Sequence, residues 1–385
     1  MMPSTRRIPL RWLVLPLLMM LGSSTWAGIG LSIGTVGGTG WQVQGLTLKL
    51  ADAAAGAYQL ELRAERLILP GKLGSWQDLS LTCPALTLGA EGYRCPAAQL
   101  QANTPYGKQH LQGELQYVDS THWSFRLTGL RLAGGRWQVV ASADGAWRVA
   151  LQGQGATLAG LLTQVAIAGL PDWGWQGRLA VQATLRGRDT QPTRLDATVS
   201  LAKGGWSSPD GLQAAESLSG QVRVRANYRH TGWQGELHTS WEAGQVYTDP
   251  VFVTLEQQPL RLDTHWSQGD GNLQLADLSL QLGKLVTLTA QANLPLAAPL
   301  QGSVTANIQL PDLAGLYPVL LQPLAYGGPL GKLDIVGASH VSLAWQQGHP
   351  TKASLNLTGL HLDDQEGRFG VSDLDGELHW QADGD

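Results

Sequence analysis

The residues equipped for chemistry are few and far apart. Gly30-Leu-Ser32-Ile-Gly34 has the spelling of a nucleophile elbow. That motif needs a strand before it and a helix after it. Here it sits in the uncharged exit from an apolar N-terminal segment. The nine histidines are scattered, with no close pair at a metal-holding spacing. Asp363, Asp364 and Glu366 cluster in LHLDDQEGRFG, where a polar hairpin turn explains them better than a calcium ion does. No glycine-rich loop carries the lysine that a phosphate site wants. The reading is of a protein that is not an enzyme, with no catalytic residues, no metal and no cofactor.

Cys83 and Cys95 each precede a proline, in LTCPALTL and YRCPAA. Between them Leu86-Thr87-Leu88 reads as strand and Gly89-Ala-Glu-Gly92 as turn. That geometry puts the two thiols on neighbouring rungs, within disulfide reach, as suits an exported protein. Two free thiols are the alternative. A zinc site would need further ligands at close spacing, and none is there.

Export has its own signal. Arg6, Arg7 and Arg11 precede the apolar run Trp12-Leu-Val-Leu-Pro-Leu-Leu-Met-Met-Leu21, and the next charge is Lys49. A basic flank before an apolar run directs the following chain out of the cytoplasm. Residues 12–33 are long enough to span a bilayer, so an uncleaved inner-membrane anchor over residues 1–33 is expected. Cleavage after Thr25-Trp-Ala27 remains the other outcome. In both cases the body is periplasmic.

Everything else must be scaffold, and its period is two. Gly271–Leu296 reads GNLQLADLSLQLGKLVTLTAQANLPL. Leu273 and Leu275 alternate with polar residues. After a one-residue phase shift come Leu278, Leu280 and Leu282, and after a Gly-Lys turn Val286 and Leu288. Successive strand residues point to opposite faces, so one face is greasy and the other wet. Such alternation marks half-buried antiparallel strands. The pattern recurs along the chain. On it, Leu60, Leu62, Leu111, Leu115, Val139, Val149, Leu179, Val181, Val199, Val222, Val224, Leu343 and Leu357 join the greasy side.

Composition agrees. The 385 residues are 43% hydrophobic and 15% charged, with 48 Gly and 19 Pro. That is too apolar for disorder and too punctuated for long helices. A net charge of −4 gives nucleic acid nothing to bind. Trp outnumbers Phe by 15 to 3. Trp suits rims where apolar and wet surfaces meet; ordinary core filler is the alternative. Residues 156–168 and 311–325 break the period with helical spacing, and Asp312 is the expected N-cap of the second. A helix, a turn and a strand series then recur as a weak repeat. It is expected to divide the body into units 34–154 and 155–385, with the second expected to be incomplete at its C-terminal end.

The Arg-flanked N-terminus, the LADLSLQLG-type rungs and the segment LTGLHLDDQEGRFGVSDLDGELHW resemble the AsmA-like superfamily of Gram-negative envelopes. The YdbH branch is the nearest in texture, and the early cysteine pair fits it. The resemblance implies an all-β fold: a long twisted antiparallel sheet forming a half-open hydrophobic groove. It implies transfer of phospholipids between inner and outer membranes, with acyl chains as the ligand. A further partner, such as an outer-membrane lipoprotein, would complete the bridge. The aliphatic residues named above would then line the groove. Roughly 25 strands at ~4.8 Å would span about 120 Å. The competing reading is a pair of β-sandwiches whose apolar faces bury each other, acting as a scaffold or adhesion module.

Overall fold

Period-two alternation becomes strand after strand, with turns at the Gly, Asp and Asn clusters between them. The structure is a computed structural model. It describes residues 28–38, 40–53, 56–69, 74–90, 92–165, 171–229, 232–328 and 330–382. The first strands are β1 (Ile29–Gly38), β2 (Trp41–Asp52), β3 (Tyr58–Ile68), β4 (Ser75–Gly89), β5 (Gly92–Thr104), β6 (Gly107–Tyr117) and β7 (His122–Leu132). Then come β8 (Gly135–Asp144), β9 (Ala146–Thr157), β10 (Gln176–Arg188), β11 (Gln191–Ser207), β12 (Gln213–Arg229) and β13 (Gly232–Thr248). The remainder are β14 (Val251–Thr254), β15 (Leu260–Gly269), β16 (Asn272–Leu282), β17 (Val286–Pro295), β18 (Ser303–Leu310), β19 (Leu333–Gln346), β20 (His349–Asp364) and β21 (Gly370–Gln381).

All 21 strands belong to one antiparallel sheet. Each pairs with its neighbour in sequence, with one variation. β13 is long enough to pair with β14 over Gln245–Thr248 and with β15 over Trp233–Trp241. The sheet is open, with β1 and β21 at its two edges. The two facing sheets of a sandwich are not what the described residues form. At ~4.8 Å per strand the ladder runs roughly 90 Å. The strands are fewer and longer than the alternation suggested: β11, β12 and β13 have 17 residues each.

The difference comes from β-bulges. The phase shift at Leu275/Leu278 is a register shift inside β16, not a strand end. The skips at Leu127/Leu130 and Leu357/Leu360 are of the same kind. Asp78, Lys203 and Ser217 take φ of 51°, 52° and 54° beside such shifts. An extra residue in a strand bends it and increases its twist. It also restores the greasy side chains to the same face.

The N-terminal apolar segment up to residue 27 lies outside the described residues. Among those described, no helix is long and apolar enough to cross a membrane. Residues 29–33, expected in the anchor, instead form half of β1. Ile29, Leu31 and Ile33 pair with Leu50, Leu48 and Leu46. Their alternation with Gly30 and Ser32 is a strand pattern that hydropathy alone reads as span. The Gly-Leu-Ser-Ile-Gly spelling therefore sits mid-strand, with no turn to lift Ser32.

The helical segments lie at one rim. Leu158–Val165 links β9 to β10 and begins two residues later than its spacing suggested, because Ala156 and Thr157 still pair with Leu179 and Arg178. Its Leu158 and Leu161 pack on Ala133, Trp137, Ala156 and Leu179. The ladder continues through the boundary expected at residue 155. The second segment joins β18 to β19 through Leu313–Leu316, the π-turn Tyr317–Leu321 and Gln322–Leu324. Asp312 caps it, its carboxylate accepting the Gly315 N–H at 2.9 Å. Leu313 and Leu316 cover Leu285 and Leu360.

Cys83 and Cys95 are bonded, with Cα atoms 6.1 Å apart. Pro84 and Pro96 have no N–H to donate, and the β4–β5 ladder lapses between Thr82/Gln99 and Thr87/Arg94. The disulfide ties the strands across that lapse. It is buried against Leu60 and Ala98. Replacing both cysteines by serine (C83S/C95S) opens a short loop and should cost about 3 kcal/mol. Urea unfolding followed by circular dichroism checks it; an unchanged midpoint would show that the bridge carries no stability.

Candidate functional site

Directly opposed residues in an antiparallel ladder share a face. The pairings can therefore be chained across the sheet. From Val181 in β10 the row runs through Val199, Val222, Thr239, Leu262, Leu280, Leu288, Ile308, Val341 and Leu355 to Leu378 in β21. Ten of these eleven are aliphatic, and none is charged. A parallel row links Val139, Leu151, Ala183, Ala197, Val224 and Leu237.

The ladders bring all the expected groove-lining residues to this one face. Leu60 and Leu62 enter opposite Cys83 and Leu81, and Leu111 opposite Leu100. Leu115 faces Cys95 and Phe125. Val149 lies between Ala141 and Leu185. Leu273, Leu275, Leu278 and Leu282 face Leu294, Ala292, Ala290 and Val286. Leu343 meets Ala306, and Leu357 meets Ser339. Leu111 and Leu179 are buried, Leu115 and Leu343 are exposed, and the others are half-buried. At the last strand the face is open to solvent: Leu378 is 66% exposed and Trp380 47%.

Two buried polar residues on this face differ: the Ser339 hydroxyl has no hydrogen-bond partner among the described residues, whereas Gln109 is satisfied locally. Gln109 is buried at 2% exposure. Its amide donates to the Arg131 carbonyl at 2.8 Å and accepts the Arg131 N–H at 2.9 Å. Aromatic residues collect beside the hairpins of the rim opposite the helices. Tyr93 stacks on Tyr117 at 6.3 Å, and Tyr228 meets Trp233 edge-on at 5.5 Å. Trp345 donates its N–H to the Leu300 carbonyl at 3.3 Å. Trp137 is instead core filler, 5% exposed, its indole lying where a Cβ on Gly153 would come within 2.3 Å of the ring. Both uses of Trp expected from composition occur.

The opposite face is wet. The row alongside the aliphatic one reads Gln182, Thr198, Arg223, His238, Asp263, Ser279, Thr289, Asn307, Ser342 and Ser354. Clefts of about 960 and 760 Å³ lie on this side. Arg225 pairs with Glu236 at 3.2 Å, and His265 with Asp277 at 2.8 Å. The His265 backbone N–H, then its ring, hold the Asp277 carboxyl below its usual value. Alternation fixes that these residues share the wet face, but which of them stand opposite each other depends on the register of neighbouring strands, which a bulge can shift. The clefts are lined mostly by polar and charged side chains, the Arg225–Glu236 and His265–Asp277 pairs among them, and Leu237, Leu275 and Leu278 also reach their walls.

The acidic cluster of the last hairpin is engaged by cations. Arg368 donates to Asp364 from Nε at 2.8 Å and Nη2 at 2.7 Å, and its backbone N–H adds a third bond at 3.0 Å. Lys332 pairs with Glu366 at 2.9 Å. Comparison with protein-family models, curated proteins and solved structures finds no match for this chain. The functional reading therefore rests on the residues and their placement.

The Arg368 side chain holds the Asp364 carboxyl down to about 2, against ~3.9 for an unfolded aspartate. A depressed folded value stabilises fully above the unfolded one and is lost as pH falls through the folded one. The β20–β21 hairpin should therefore weaken between about pH 4 and about pH 2. Hydrogen exchange of this hairpin should show that loss in wild type and not in D364N; equal pH dependence in the two would refute the link.

Proposed function

We propose that this chain is an exported, non-catalytic lipid conduit. It would be anchored in the inner membrane, with its β-sheet in the periplasm, and pass phospholipids toward the outer membrane. A partner there, such as an outer-membrane lipoprotein, would receive them. The observation that carries this reading is the uncharged row from Val181 to Leu378, aliphatic at every position but Thr239, on a sheet over which the described residues place no second sheet. Together the described strands would act as a half-open hydrophobic groove.

The energetics favour such a surface. Exposing a ~16-carbon tail to water costs on the order of 12 kcal/mol, at about 0.8 kcal/mol per methylene. A row of Leu, Val and Ile returns much of that wherever the tail lies along it. Uniform affinity also lets a tail slide, because no point along the row binds it tightly enough to stall it. The chain exposes 25039 Å², where a compact monomer of similar mass exposes about 15,000 Å². That surplus is what a single-layer sheet with an available face presents. The resemblance to AsmA-like proteins is in keeping with the same role.

Leu280 and Leu288 oppose each other on the aliphatic face, and Ser279 and Thr289 oppose each other on the wet face. L280E/L288E should reduce co-purifying phospholipid, and photo-crosslinking to acyl chains, by tenfold or more. S279E/T289E places the same charge at the same point on the other side and should leave both unchanged. Equal lipid in both folded variants and wild type would end the conduit reading.

A further inference from the structure

One place on the wet face sets like charges against each other. Arg186 of β10 is directly opposite Arg148 of β9 on one side and Arg194 of β11 on the other. Like charges directly opposed on neighbouring strands are destabilising. Arg188 follows at the end of the same hairpin. Asp196 engages Arg194 through Nε at 2.9 Å and Nη2 at 3.1 Å. Its carboxyl is held low first by Arg194, and it also feels Arg186 and Arg225. No described carboxylate makes an ion pair with Arg148, Arg186 or Arg188. One carboxylate does not neutralise this group.

The same hairpin end is built on its other face too. Trp147 is opposite Gly187, and a Cβ on that glycine would come within 2.1 Å of the indole. The ring therefore lies flat across bare backbone. Its N–H donates to the Asp189 carbonyl at 3.0 Å, which fixes it at the rim. One step inward on the aliphatic face, Val149 opposes Leu185. A cavity of about 540 Å³ opens here, lined by Trp147, Arg148, Arg186, Gly187, Arg188 and Thr193. Aliphatic surface, a fixed indole and an excess of guanidinium groups meet where the end of the β10–β11 hairpin lies beside the start of β9.

We propose that this hairpin end is the docking point for the phosphate of a phosphate-bearing lipid. The guanidinium groups of Arg148, Arg186 and Arg188 take the anion, since their planar forks match phosphate oxygens and they are weakly hydrated. Trp147 spans the boundary between wet and apolar, its usual position. The acyl chains run inward over Val149 and Leu185. The lipid part rests on the conduit reading; the anion site itself does not. Free phosphate shares the chemistry, so the ligand must be tested with and without its tails.

The test uses the full chain in detergent-free buffer with three probes: short-chain phosphatidylglycerol, the matching diacylglycerol without phosphate, and inorganic phosphate. The variant R148Q/R186Q removes charge from an exposed, self-repelling pair and should fold normally. Phosphatidylglycerol binding is expected to weaken about tenfold in the variant, as for the loss of charge-assisted hydrogen bonds. Diacylglycerol binding should be unchanged, and inorganic phosphate alone should bind far more weakly than the lipid. Phosphatidylglycerol binding equal in variant and wild type overturns the site while diacylglycerol binding leaves the conduit standing. Inorganic phosphate binding as tightly as the lipid overturns the lipid assignment. If neither lipid binds wild type, the conduit reading is what has failed, and loss of phosphate binding in the variant still supports the anion site.

Discussion

Cross-strand pairing puts opposed residues on the same face, and every other property of this sheet depends on that parity. A slip of one residue anywhere would send a strand's aliphatic set to the wet side. Here parity survives every ladder from β10 to β21. The consequence is a long, mainly Leu, Val, Ile and Ala surface whose central row carries no charge. Such a surface is thermodynamically unsatisfied until something apolar meets it. The helical segments meet it only at one rim, where each packs into a cluster of buried apolar residues.

The bulges reconcile two demands. A long sheet must twist, and twist accumulates strain in long strands such as β11 to β13. An extra residue relieves it but would flip the faces of everything beyond. In this chain each skip in the aliphatic spacing coincides with a bulge. The side chains return to the same face on either side, as Leu275 and Leu278 do against Ala292 and Ala290. Glycines that look like strand breakers serve the same end: Gly337 takes φ 130° at the β19–β20 shift.

The disulfide and the last hairpin show where pairing alone does not suffice. Proline interrupts the ladder at Cys83 and Cys95, and a covalent bond takes over. At the edge of the sheet β21 has one neighbour and little burial, and the Asp364–Arg368 contact anchors the turn that leads into it. Both devices hold weak points of a single layer that has no second sheet to support it.

Period-two alternation was enough to determine strand type, the identity of the greasy face and nearly every residue on it. It was enough because side-chain direction in a strand is a local property. Asp312 as a helix cap was legible for the same reason. What alternation left open was long-range: whether a skip in spacing ended a strand or bulged it, and whether two greasy faces met each other. Residues 29–33 read as membrane span by hydropathy because apolar residues score alike in a bilayer and against β2. Nothing in the spacing of the arginines at 148, 186 and 194 links them, and only pairing across three strands sets them side by side. Local chemistry decides where a side chain points; which residue of the neighbouring strand it meets is decided by the register of the whole sheet.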